Sequence, residues 1–125
     1  WPEKIGVTHP DLLPHADQVI GKNHFNAAQA PAVMEGLAAD RPQVLLVGIE
    51  AHICVLQTGL SLAKAGYKPV LVVDAIASRS ESSKAAALAR WAHHGLEAVT
   101  TEMALFEWLE HPEHPSFKSI LELIK

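Results

Sequence analysis

The sequence predicts an α/β fold built on a parallel sheet, and three observations carry that prediction. Strand-like and helix-like segments alternate along most of the chain. The two strongest strand candidates, QVLLVG (43–48) and KPVLVVDA (68–75), are apolar at successive positions, as strands covered on both faces are. The stretches between strand candidates are long enough for a crossover helix, and strand–helix–strand order selects the right-handed parallel arrangement.

The elements follow in order. Positions 1–15 read as loop, punctuated by Pro2, Pro10 and Pro14. QVIGK (18–22) is a short strand candidate. APAVMEGLAAD (30–40) reads as a helix, with Pro31 suited to a first turn and Val33, Met34 and Leu37 at helical spacing. QVLLVG reads as a central parallel strand. A helix is expected from Ile53 to Ala65, with Gly66 placed to end it. KPVLVVDA is the second fully apolar strand. Ser80 can cap the helix ESSKAAALARWAHH, and Gly95 can close it. LEAVT (96–100) is a third short strand. Thr101 can cap the helix EMALFEWLE, and HPEHPS separates that helix from a final one, FKSILELIK.

Composition bounds the function. A chain of 125 residues, 49% hydrophobic and 19% charged, suits one globular domain, taken as residues 1–125. A net charge of -4 without any Lys/Arg run argues against a nucleic-acid partner. A single cysteine cannot form an intrachain disulfide, so a reducing, cytoplasmic compartment is the default. No apolar stretch approaches the roughly 18 residues of a membrane span.

The single cysteine, Cys54, follows the 43–48 strand in the first turn of the next helix. In open α/β sheets ligands bind at the carboxyl ends of strands, where helix N-termini meet the crevice. The partial positive charge there favours a thiolate, and the unpaired N–H groups can hold an oxyanion. Position and chemistry fit a nucleophile. A small buried residue fits them equally.

The surrounding residues resemble a family. GKNHFNA, VGIEAHICVLQT, LAKAGY and VVDAIASRS are similar to the core of the isochorismatase-like cysteine hydrolases. The opening WPEKIGVTHPDL and the tail TTEMALFEWLEHPEHPSFKSILELIK resemble its isochorismatase domain-containing branch. The resemblance implies a three-layer α/β/α, Rossmann-like sheet and an Asp–Lys–Cys triad. Cys54 falls on the nucleophile and Lys22 on the lysine. It implies a cis peptide at Ile49–Glu50, with oxyanion donors among the N–H groups of Glu50 or Ala51 and of Cys54. His24 and Phe25 fall on pocket positions, and Asn26 stands where many relatives carry Ser. The implied reaction is hydrolysis of a small amide-like or ester-like substrate, without a cofactor, in a homo-oligomer of two or more copies. The alternatives are a vinyl-ether hydrolase of the isochorismatase type and a catalytically silent binding or scaffold protein.

One triad member has no counterpart. The family places its Asp at the end of the first strand, well before the lysine. Asp11 and Asp17 lie in or beside the Pro-rich opening, Asp40 ends a predicted helix, and Asp74 belongs to VVDA, where a structural or rim role is expected. The resemblance thus implies that this chain is the C-terminal part of the domain, about two-thirds, without its first strands. The intact protein is expected to be active and this chain alone inactive.

Other residues are read more plainly. His52, two residues before Cys54, is not expected to pair with it, because residues two apart on a tight turn diverge. HPEH (111–114) and His93–His94 lack the spacing of a zinc motif, and the Asp-x-His pair of metal-binding nicotinamidases has no counterpart, so no metal is expected. Trp91, Phe106, Trp108 and Phe117 are read as core or subunit interface.

Overall fold

In the computed structural model, which describes residues 2–125, three parallel strands form one sheet. Trp1, where the stretch read as loop begins, lies outside the described residues. Strand β1 (Gln43–Gly48) pairs with β2 (Lys68–Ile76), and β2 with β3 (Glu97–Val99), in the order β1–β2–β3. Gln43 stands opposite Lys68 and Leu46 opposite Leu71, while Val70–Val72 face Glu97–Val99. The β1–β2 register shifts after Leu46, so that Gly48 comes opposite Ile76.

The helices are α1 (Pro2–Ile5), α2 (Pro31–Gly36), α3 (Leu56–Lys64), α4 (Glu81–His93), α5 (Thr101–Leu109) and α6 (Phe117–Leu123). Ser80 caps α4, its Oγ accepting from Ser83 N at 3.3 Å. Gly66 and Gly95 follow α3 and α4 at φ +91° and +67°, the left-handed conformation that glycine takes without a Cβ penalty.

Alternation along β2 builds the layers. Leu71 packs with Val55, Leu56, Ala87 and Trp91, from the segment leading into α3 and from α4. Val70 and Val72 point the other way and pack with Val99 and with Ala104 of α5. The sheet therefore lies between α3/α4 and α5, the expected α/β/α sandwich. Trp91 is the central side chain, 2% exposed, and its Nε1 donates to Glu97 O at 2.7 Å. Among the described residues no helix is long and apolar enough to cross a membrane.

Several boundaries differ from the sequence reading. QVIGK forms no strand: among the described residues no neighbour lies alongside to complete a ladder, and a strand is stable only in one. The opening is not all loop, since α1 and a 3-10 turn at Leu13–His15 interrupt it. Helix α2 stops at Gly36, leaving Asp40 in a turn instead of at a helix end. The turn before α3 begins at Ala51, earlier than Ile53, as a π-helical segment. Thr100 caps α5 in place of Thr101, accepting from Met103 N at 3.2 Å. Finally, β1 is an edge strand of this sheet, not a central one. Leu45 and Val47 share the α5 side, and Val47 is 59% exposed beside Trp108.

Asp74 shows how β2 positions the next layer. Its Oδ1 accepts from Thr101 N at 2.8 Å and from Thr101 Oγ1 at 3.0 Å, closing the start of α5 from another element. The Thr101 N–H bond, ahead of smaller effects, holds the Asp74 carboxyl below its ordinary range. A depressed carboxylate stabilises the fold above its unfolded-state pKa of 3.8 and ceases to as pH falls through the lower folded value. Asp74→Ala is therefore expected to lower the denaturation midpoint slightly at pH 7, with the gap to wild type narrowing below that pKa.

Candidate active site

The end of β1 makes an abrupt turn. Gly48 takes φ +111°, a conformation open to glycine, and the Ile49–Glu50 peptide that follows is cis. The π-helical segment Ala51–Val55 comes next and runs directly into α3. Cys54 sits in that segment, half-buried, with a free thiol. Single π-turns joined to α-helices recur at functional sites, where they re-aim a side chain.

The loop after β2 holds this turn in place. Ala77 N donates to Gly48 O at 3.2 Å, and Ala51 N donates to Ala77 O at 2.8 Å. The second bond engages the Ala51 N–H, so Ala51 is not the oxyanion donor that the resemblance allowed it to be. Glu50 Oε2 accepts from Arg79 N at 3.0 Å and lies 3.7 Å from Arg79 Nε. His52 Nδ1 lies 2.9 Å from Ser78 Oγ and 3.4 Å from Glu50 Oε2. His52 thus engages the loop after β2.

Lys22 reaches the sulfur from the other side, its Nζ 3.9 Å from Cys54 Sγ. The same ammonium donates to His24 O at 2.9 Å and to Phe25 O at 3.3 Å, which shapes the loop around it. That loop is fastened to α3 just downstream. Asn26 Nδ2 donates to Ser61 Oγ at 2.7 Å, its Oδ1 accepts from Ala28 N at 3.0 Å, and Ala27 N donates to Thr58 Oγ1 at 2.9 Å. Asn26 therefore serves as cap and tether and does not line the cavity.

Thr58 and Ser61 are site-supporting residues that the sequence reading missed. The available signal was their spacing: Cys54, Thr58 and Ser61 stand four and then three residues apart, on one helical face. Thr58→Val keeps the shape but leaves the Ala27 N–H without its acceptor. The expected cost is about 1–3 kcal/mol in denaturant melts, together with slower Cys54 alkylation as the Lys22 loop loosens.

Cys54 and Lys22 share a cavity of about 360 Å³, a volume suited to a small molecule. His24, Phe25, Ile49, Glu50, Ile53 and Arg79 also border it. No aspartate is in its wall among the described residues. Asp74 is committed to Thr101, Asp11 interacts with His9, and Asp17 and Asp40 lie in irregular segments. Nor does any cluster of three His, Cys, Asp or Glu side chains suited to a metal occur among those residues.

The isochorismatase domain family matches residues 6–103. Isochorismatase domain-containing protein 2 of Bos taurus is 38% identical, over all of this chain and 61% of its own length. A Caenorhabditis elegans structure described as MAR1 ribonuclease superposes with a TM-score of 0.90 at 32% identity, over 99% of this chain and 65% of that one. A nicotinamidase from Staphylococcus aureus gives a TM-score of 0.56 at 28% identity, over 62% and 49% of the two chains. This chain thus spans about three-fifths of its curated relatives' length. Its fold, its motifs and the match over most of its residues make it a member of the isochorismatase domain family.

Proposed function

We propose that the whole protein is a cysteine hydrolase of small amide-like or ester-like substrates, with Cys54 as nucleophile. The observation that carries this reading is the approach of Lys22 Nζ to within 3.9 Å of Cys54 Sγ in a cavity at the carboxyl end of β1. The thiolate is the attacking species, and the Lys22 ammonium stands beside it as a counter-charge. The thiolate attacks the carbonyl carbon, and the Glu50 and Cys54 N–H groups face the developing oxyanion. The leaving group departs with a proton, leaving a thioester on Cys54, and water then releases the acid and restores the thiol. The aspartate that the resemblance implies for moving those protons is not among the described residues lining this cavity.

The likeness to a nicotinamidase supports an amide-type substrate. The ribonuclease name of the Caenorhabditis elegans relative finds no support in a chain of net charge -4 without a basic run. Reading the chain as one domain rests on the length of the family match. A homo-oligomer belongs to the same reading, supported by the exposed apolar side chains of Val47 and Trp108.

The test is to trap the intermediate. With p-nitrophenyl acetate and the intact protein, an acid quench followed by peptide mapping is expected to find one acetyl group on Cys54. Cys54→Ala should abolish both that adduct and the burst of p-nitrophenolate. A burst that persists in the variant overturns the assignment.

A further inference from the structure

Two cations border the Cys54 cavity, and they are held differently. Lys22 is engaged with the sulfur and with the carbonyls of its own loop. Arg79, on the loop between β2 and α4, has a side chain 72% exposed. Its Nε lies at ion-pair distance from Glu50, and among the described residues no group meets its terminal nitrogens. We propose that Arg79 anchors a carboxylate on the substrate, so that the cavity selects small anionic amides or esters over neutral ones. The proposal rests on the hydrolase reading above and deepens it.

Two features support the assignment. A guanidinium binds a carboxylate as a planar fork, and pairing at Nε with Glu50 orients the opposite edge. Glu50 is itself held by the Arg79 backbone N–H, so the pair forms one unit with the turn that carries Cys54. With Cys54 as thiolate, the charges of Lys22, Arg79, Glu50 and Cys54 in the wall cancel, so the preference rests on the Arg79 fork itself. Ile49, Ile53 and Phe25 complete the wall with apolar surface.

Alkylation of Cys54 tests this without knowledge of the natural substrate. Iodoacetate and iodoacetamide differ in a carboxylate against a carboxamide. In both reactions the sulfur bonds to the methylene carbon and iodide leaves with the electron pair. The measured quantity is the iodoacetate-to-iodoacetamide rate ratio for Cys54 in the intact protein, followed by peptide mapping and divided by the same ratio for free glutathione. That quotient is expected to be about tenfold in the wild type and to fall close to one in Arg79→Gln.

The double variant Glu50→Gln/Arg79→Gln controls for repulsion by a Glu50 left without its partner, and the preference should stay lost there. No wild-type preference, a preference that survives Arg79→Gln, or one that returns in the double variant each overturns the proposal. Those outcomes leave the nucleophile reading intact as long as Cys54 alkylates readily with iodoacetamide. A Cys54 inert to both reagents overturns the two together.

Discussion

Replacing Cys54 with alanine in the whole protein is expected to lower kcat for p-nitrophenyl acetate by on the order of 10⁴-fold or more. Loss of a nucleophile removes the covalent route itself and leaves only binding and oxyanion stabilisation. Little else should change. Cys54 is half-buried, and the turn around it is held by backbone bonds such as Ala51 N to Ala77 O and by the Glu50–Arg79 contact, none of which uses the thiol. The thermal melt of the variant should therefore overlay that of the wild type. Cys54→Ser keeps an attacking atom but loses the thiolate, and should be almost as slow. A kcat within a few-fold of wild type in both variants would instead favour the vinyl-ether chemistry that needs no thiol. A wild-type protein that never turns over would favour a binding or scaffold role.

The largest stability effect is expected at Trp91. Truncation to alanine should cost about 3–5 kcal/mol, read as a lower denaturation midpoint at unchanged m-value. Two losses combine. The indole fills the centre of the layer between the sheet and α3/α4, and its Nε1 satisfies Glu97 O, tying α4 to the start of β3. The ring also packs where a side chain on Gly59 would stand, since a Cβ there would fall on Trp91 Cζ3 and Cη2. Gly59 is thus what lets α3 approach α4 closely. Gly59→Ala alone should destabilise by about 1–3 kcal/mol, and much of that cost should vanish in a Trp91→Ala background, because the two positions are in direct contact. Additive losses in the double variant would show that the contact is unimportant.

Much of the site was legible before any coordinates because its chemistry is concentrated in short motifs. Cys54 and the turn before it lie within six residues of Gly48, and Lys22 stands in GKNHFN. The rest was illegible because it depends on partners far apart in the chain. Asn26 reads as a pocket residue by position, yet its amide is spent on Ser61 and on Ala28. Ala51 reads as an oxyanion donor until Ala77, across the loop after β2, takes its N–H. Arg79 drew no notice within VVDAIASRS, and only the fold brings it to the wall of the Cys54 cavity.

The sequence by itself determined the α/β class, the paired apolar strands, the caps of α4 and the position of the turn that carries Cys54. Each of these is encoded locally, in runs of apolar residues, in Ser and Gly at helix ends, and in a motif read within a few positions. Tertiary structure alone decided which strand-like segments become strands. QVIGK has the composition of one and QVLLVG that of a central one, but a ladder needs neighbours, and the neighbours make the first a loop and the second an edge. It also decided that Lys22 stands over the sulfur. That distance is set by the bonds from Asn26 and Ala27 to α3, more than thirty residues along the chain.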